Sequence, residues 1–476
     1  MLNEIFFLVR GVSSRQKGLP GFRRGFFCAQ SRARTGTSFK GHWILSPTRL
    51  PIPPFGHFQN WNGKVRDFWR ITKFFNGRVL KICQQTRLSA GFAFRFSEII
   101  DNFSGCETTD FMKCKIYNGQ KIADVVGYLE GYPAVFVVAD RNVARFSEKI
   151  AGCRSMPSCR GIFYINATEE DKSMQTVLDI CKWLLVNDVD RNALVLAVGG
   201  GITSDMAGFA ASIYKRGVRY ANVPTTLLAQ VDASIGGKTG VNLENYKNIL
   251  GVIRQPEFTY ICPEVLESLP YRDFVSGSAE LLKTFIIDNS DNNYEKAVEV
   301  LADIHSSIDH GRAIAAHSAE LQRLVSAAAA IKAGVVERDQ FEHGERRKLN
   351  LGHTFAHAIE WESMSAAGKK LNVNAISHGE AVSMGIILAA RLSERYYSTR
   401  TGIDNNCSGY KSLSDRLQQD FTRCGLPTDC PYPTESLAAA MRRDKKAENG
   451  IIHFVLIHGL GDVRIEDLPV EDMINC

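Results

Sequence analysis

The chain is 476 residues long, 45% hydrophobic and 23% charged, which is the balance of a globular protein rather than a disordered or fibrous one. Its formal charge of +6 hints at nucleic acid, but residues 1–111 hold 17 Lys+Arg against 6 Asp+Glu, which leaves 40 basic and 45 acidic groups for the rest. The body is thus mildly acidic, and a nucleic-acid partner is not expected. Twelve cysteines lie scattered without a CxxC pair, which predicts reduced thiols in a cytoplasmic setting. No run approaches the roughly 18 apolar residues of a membrane span, and the opening IFFLV is short for a signal-peptide core, so neither a membrane partner nor export is expected.

The first 111 residues mix basic clusters at Arg23 and Arg24, a proline-rich stretch at Pro51, Pro53 and Pro54, and isolated aromatics, with no periodicity. Two readings stay open. A basic, acid-poor leader resembles an organelle transit peptide, which would make the location organellar. Alternatively it is upstream sequence that never folds, because Met112 stands directly before KCKIYNGQKIADVV, where regular patterning begins.

From Met112 short apolar runs alternate with helical stretches: AVFVVAD (134–140), MQTVLDICKWLL (174–185), then ALVLAVGGG (193–201). This predicts an α/β domain with a parallel sheet over 112–262. Beyond Pro263 strands nearly vanish and stretches such as AIAAHSAELQRLVSAAAAIKAGVV (313–336) and GEAVSMGIILAARLSERYY (379–397) predict an all-α domain over 263–476, closed by one short strand, IIHFVLI (451–457).

Three constellations carry chemistry. The first is GGGITSD (199–205), where Gly200 and Gly201 follow an apolar strand and open a helix. Such glycines admit a pyrophosphate to the backbone N–H groups of a helix N-terminus, or they simply make a tight turn; the GxGxxG spacing is absent. Asp140, ending an earlier strand, is placed either for a ribose or to cap the next helix. The second is VPTTLLAQVDASIGGKTGVN (223–242) followed by Lys247 and Asn248. Thr225, Thr226, Asp232, Lys238 and Asn248 at small-residue sites suit a phosphorylated, hydroxyl-rich ligand; a solvated loop has similar composition.

The third is a dispersed set of possible metal ligands: Glu280, His353, His357 and His378. His353 and His357 lie four apart and share a helix face. Thr354 occupies the general-base position of an HExxH protease, so that parallel fails. One carboxylate with two imidazoles leaves coordination positions open for substrate, although any single histidine is ordinarily structural. Lys283, Lys332, Arg346, Lys445 and Lys446 are spread through the helical half and read individually as surface charges.

Six ordered blocks, GGGITSDMAGFAASIYKRG, VPTTLLAQVDASIGGKTGVN, SGSAELLKT, RRKLNLGHTFAHAIE, SHGEAVSMG and RRDKKAENG, together resemble the 3-dehydroquinate synthase family of sugar-phosphate cyclases across nearly all of 112–476. That resemblance implies an N-terminal NAD-binding α/β domain, a helical metal-binding domain, and an active site in the cleft between them. It implies Glu280, His353 and His378 as ligands to a divalent metal, usually Zn2+ with Co2+ as an alternative, and His357 facing the substrate phosphate. NAD would lie against Asp140, Glu169, Lys172, Gly200, Gly201, Asp205, Thr225 and Thr226, with Lys238 and Lys247 nearby. Asp232, Lys238, Asn248, Lys283, Lys332, Arg346, Asn350 and one of Lys445 and Lys446 would surround the substrate. Arg216 would reach across the interface of a homodimer.

The implied reaction belongs to the shikimate pathway of aromatic amino-acid biosynthesis. A seven-carbon keto acid phosphate, 3-deoxy-D-arabino-heptulosonate 7-phosphate, is transiently oxidised by NAD+, loses phosphate, is reduced again and closes to 3-dehydroquinate without net redox change. Competing readings are another cyclase, such as a 2-deoxy-scyllo-inosose or valiolone-type synthase, a metal-dependent polyol dehydrogenase, and a non-enzymatic scaffold acting through the basic leader.

Overall fold

The computed structural model describes residues 113–153, 159–244, 246–364, 376–401, 412–443 and 451–473. The leader over 1–111, Lys445 and Lys446 lie outside those residues. Six strands form one parallel sheet: β1 (Ile116–Asn118), β2 (Val135–Asp140), β3 (Cys159–Ile165), β4 (Leu194–Gly199), β5 (Arg219–Pro224) and β8 (Thr259–Ile261), in the order β1-β8-β5-β4-β2-β3. Its central strands are apolar without alternation because both faces are covered. On β2, Val135, Val137 and Ala139 face a core shared with Phe146 and Ile150 of α1 (Ala144–Ala151). Phe136 and Val138 face the opposite core, with Val177, Ile180 and Leu184 of α2 (Met174–Val186).

The chain leaves β2 for β3 on one side and returns to β4 on the other, so the sheet changes direction between β2 and β4. A crevice opens at the carboxyl ends of strands at such a switch, and here Asp140 and Gly199 end the two strands. Helix α3 (Gly201–Ile213) starts at that crevice. An antiparallel hairpin, β6 (Lys238–Leu243) and β7 (Tyr246–Ile253), follows the second motif. The composition of that motif also allows a solvated loop. It pairs as a ladder because Thr239, Val241, Leu250 and Val252 supply an alternating face over α3, while Leu243, Tyr246, Ile249 and Ile253 stay exposed.

Helices dominate after Pro263: α4 (Tyr271–Ile287), α5 (Asn293–Ser306), α6 (His310–Ala316), α7 (Ser318–Arg338), α8 (His353–Met364), α9 (His378–Thr401), α10 (Leu413–Arg423) and α11 (Thr434–Arg443). Helix α4 is buried along its whole length from Phe274 to Ile287, the mark of a central helix enclosed by others. The closing strand expected at 451–457 is present, and it has a partner strand that the sequence did not reveal. Residues 451–469 form a two-stranded hairpin, β9 (Ile451–Gly459) with β10 (Asp462–Pro469), turned at Gly461 with φ of 84°. DVRIEDLP hides the second strand because only Val463 and Leu468 are buried, and its charged residues face outward.

A candidate metal and anion site at the helical core

Three helices deliver Glu280, His353 and His378 to one point. Glu280 lies mid-way along α4, while His353 and His378 are the first residues of α8 and α9. Glycines permit this approach. A side chain at Gly379 would collide with the Ser276 carbonyl of α4, and Gly352, at φ of 75°, turns the chain into α8 directly against Ile386 of α9. One donor atom from each of the three residues lies within 4.8 Å of the others.

Glu280 is fully buried, and its Oε1 receives no well-formed hydrogen bond although His353 Nε2 and His378 Nε2 stand 3.6 and 3.4 Å away. Burial would raise its pKa, but Lys283 and the two histidines hold the carboxyl well below the usual carboxylate range. Burial, reinforced by Lys283, pushes His353 down to about 3, so its ring is neutral. Its Nδ1–H donates to the Leu351 carbonyl at 3.1 Å, which leaves the Nε2 lone pair for a cation.

His378 behaves oppositely. Burial alone would lower its pKa, but Glu280 and Glu360 outweigh it and lift the value to about 10. Each of its ring nitrogens faces a carboxylate, Nε2 at 3.4 Å from Glu280 Oε1 and Nδ1 at 3.5 Å from Glu360 Oε1, and the Nε2 proton is the one a cation would replace. A divalent cation is the other positive species such a pocket accepts, releasing that proton as it binds. One buried carboxylate oxygen lacking a donor, one neutral imidazole and one exchangeable imidazolium therefore fit a divalent metal with positions left for substrate oxygens.

Around this point lies a buried ionic network. Lys283, one turn from Glu280 and 1% exposed, pairs with its Oε2. Lys332 on α7 pairs with the Asp232 carboxylate and donates to the Asp232 carbonyl at 2.8 Å. Burial lowers the Lys332 pKa despite Asp232; Asp232 itself is held low, because Lys332 and Lys283 outweigh its burial. Arg346 is buried and donates to the carbonyls of Gln340 (2.6 Å) and Gly236 (3.2 Å). Asn350 donates to Glu342 at 2.6 Å, and the same Glu342 pairs with Lys238 of the hairpin. His357, one turn after His353, presents its ring edge-on with centroids 5.7 Å apart.

The sheet's switch point carries the second cluster. A side chain at Gly201 would strike Ala233 and one at Gly200 would press on Thr226, so glycine at these positions lets the start of α3 pack closely on the 226–233 segment. The Thr225 N–H donates to the Gly199 carbonyl at 2.9 Å, and Thr226 Oγ1 accepts from the Ala229 N–H at 3.1 Å. Lys172 bridges Asp205 and the Asn248 side-chain oxygen, each at 2.6 Å. Glu169 accepts from Asn242 at 2.9 Å, and Asn242 in turn holds the Asn248 backbone, whose φ is 54°. Asp140 caps the turn after β2 by accepting from Asn142 N–H at 3.0 Å. Capping is thus what its carboxylate does in this structure, and it still marks the mouth of the crevice.

Asp205 makes this cluster sensitive to pH. Burial raises its pKa from 3.8 to about 6 against the opposing effect of Lys172. The folded state therefore binds a proton more tightly than the unfolded chain, and Asp205 costs stability progressively as pH rises through that interval. Relative to wild type, Asp205→Asn is expected to gain stability between about pH 4 and pH 6.5 and to stay level above it. Urea unfolding midpoints across that range measure this, and parallel curves for the two proteins would refute it.

Arg216 is not drawn into either cluster; it sits exposed at φ of 64° in the turn after α3. Conversely, three residues that the sequence did not single out are structural partners of the site: Glu360, Glu342 and Asn242. Glu360 pairs with Lys247 at 3.0 Å, and His378 and Lys247 outweigh its burial to hold its pKa down at about 2. Its spacing, seven after His353 on one helix face, was the available signal.

Comparison with known proteins agrees with this geometry. Residues 162–276 match the family model for the 3-dehydroquinate synthase N-terminal domain and 277–447 that for its C-terminal domain. A 3-dehydroquinate synthase of Acidithiobacillus ferrooxidans is 39% identical over 337 residues, covering 70% of this chain and 84% of the relative. One from Pyrococcus abyssi is 38% identical over 307 residues, covering 64% and 81%. Among solved structures, the 2-epi-5-epi-valiolone synthase of Streptomyces hygroscopicus with NAD+ and Zn2+ bound is 25% identical at a TM-score of 0.62, over 76% of this chain and 94% of that one. A 2-deoxy-scyllo-inosose synthase with carbaglucose-6-phosphate, NAD+ and Co2+ shares the fold at 21% identity and a TM-score of 0.62, over 76% and 97%. With residues 162–447 matched by the family's two domain models and the metal-competent triad assembled, this chain belongs to the 3-dehydroquinate synthase family.

Proposed function

We propose that this protein is a lyase converting 3-deoxy-D-arabino-heptulosonate 7-phosphate to 3-dehydroquinate and phosphate, with a divalent metal and NAD regenerated in each turnover. The observation that carries this is the convergence of Glu280, His353 and His378 beside the buried cations Lys283, Lys332 and Arg346. When bound, the metal supplies Lewis-acid polarisation of substrate oxygens and the dinucleotide takes and returns a hydride. Everything else falls to the chain. Gly200, Gly201, Thr225 and Thr226 give the dinucleotide a close backbone surface, with Lys172, Asp205, Glu169 and Asp140 along its length. Lys332, Arg346 and Asn350 receive the carboxylate and phosphate of the keto acid, a pairing of anions that favours it over sugar phosphates lacking a carboxylate. Lys332, with a pKa lowered by burial, is suited to carry a proton, and His357 stands next to the leaving phosphate. Asp232, Lys238 and Asn248 orient the hydroxyls.

A homodimer belongs to the same reading, supported by the exposed Arg216 beside α3, and one of Lys445 and Lys446 completes the anion site. The cytoplasm is its proposed location, supported by seven free thiols among the described residues. No described helix is long and apolar enough to cross a membrane.

The test is to incubate the full chain with the seven-carbon phosphate, catalytic NAD+ and Zn2+. One phosphate is expected per carbocycle, with no accumulation of NADH. Stoichiometric NADH would instead mark a dehydrogenase. Turnover of glucose 6-phosphate in place of the keto acid would mark a different cyclase.

A further inference from the structure

We infer that Glu360 is a positioning residue that holds the metal ligand His378 and the hairpin lysine Lys247 together, so that metal binding and cofactor binding are coupled through one largely enclosed carboxylate. The inference rests on the metal and cofactor assignments just proposed, and it concerns a residue those assignments leave out. Glu360 sits seven residues after His353, so both project from one face of α8. Its side chain is 11% exposed and has two cationic neighbours from different parts of the molecule: Lys247 Nζ of β7 at 3.0 Å and His378 Nδ1 of α9 at 3.5 Å.

Each contact has a distinct consequence. A histidine that binds metal through Nε2 must keep its proton on Nδ1, and an acceptor facing Nδ1 fixes that tautomer and the ring's orientation while making Nε2 a stronger donor. Glu360 stands where such an acceptor is needed. Lys247 draws on the same charge. Ion pairs run from the hairpin to the helical domain at Lys247–Glu360 and at Lys238–Glu342, so Glu360 also ties the hairpin to the helices. An anionic dinucleotide beside the hairpin competes for Lys247 and leaves more of the carboxylate's charge to His378. Bound NAD+ is therefore expected to tighten metal binding, and metal to tighten NAD+ binding by the same factor.

The experiment strips the full-length protein with a chelator and titrates Co2+, followed by its visible absorption, with and without saturating NAD+. Glu360→Ala is expected to weaken Co2+ binding about 10- to 100-fold. In wild type NAD+ should tighten Co2+ binding, and that effect should vanish in both Glu360→Ala and Lys247→Met. If the alanine variant does not fold, Glu360→Gln decides, with a loss of at least about threefold expected because it keeps an acceptor but not the charge. Co2+ affinity within about twofold of wild type in these variants, or no effect of NAD+ in wild type, overturns the inference while leaving the proposed activity standing. A wild-type protein that takes up no Co2+ overturns the metal assignment itself and this inference with it.

Discussion

Replacing His353 with alanine is expected to lower turnover at least about 1,000-fold, equivalent to about 4 kcal/mol of lost transition-state stabilisation. The size follows from what is removed. His353 is the neutral donor of the triad, and without it Glu280 and His378 leave a two-ligand site on a cluster that needs three. Stability should change far less, by about 1 kcal/mol, because the largely buried ring packs edge-on against His357 and His378 rather than within the apolar core. Metal content by mass spectrometry supplies the second readout. It should be lost in His353→Ala but kept in His357→Ala, which removes a side chain on the same helix face without removing a ligand. Retained activity in His353→Ala, or equal metal loss in both variants, would show that the ligands are misassigned.

The contrast between these neighbouring histidines shows where sequence stops being informative. The parallel strands were readable because continuous apolar runs such as VFVVA have no other comfortable place than a sheet covered on both faces. Helix α8 and its two histidines were readable from their spacing. Which of His353, His357 and His378 bind metal was not, because that depends on α4, α8 and α9 crossing at Gly352 and Gly379; the ordered family blocks supplied that choice. The elements that escaped, β10 and the β6–β7 hairpin, are rich in charged, Thr and Gly residues and gain their pairing from neighbours rather than from local preference. Glu360 and Glu342 escaped for a related reason. An acid on a helix or in a basic loop looks like surface charge until the fold supplies Lys247, His378, Lys238 and Asn350 as its partners.

The pair formed by Glu280 and Lys283 offers the largest stability effect. Both side chains are essentially excluded from water, at 0% and 1% exposure, and lie one turn apart on a helix buried from Phe274 to Ile287. Removing two charges from water costs several kcal/mol for each ion, and their mutual attraction offsets this only while both are present. Lys283→Met is therefore expected to destabilise the protein by about 3–5 kcal/mol, since it leaves Glu280 without its closest cation, and activity should disappear with it. Adding Glu280→Gln to the same chain removes the stranded charge. The double variant should recover most of the lost stability while remaining inactive and unable to hold metal, a non-additivity of at least about 2 kcal/mol. Urea unfolding of the wild type, both single variants and the double variant closes the cycle. Additive losses would mean that the two groups do not depend on one another, and that the buried carboxylate at the metal site is held ionised by His353 and His378 rather than by the lysine on its own helix.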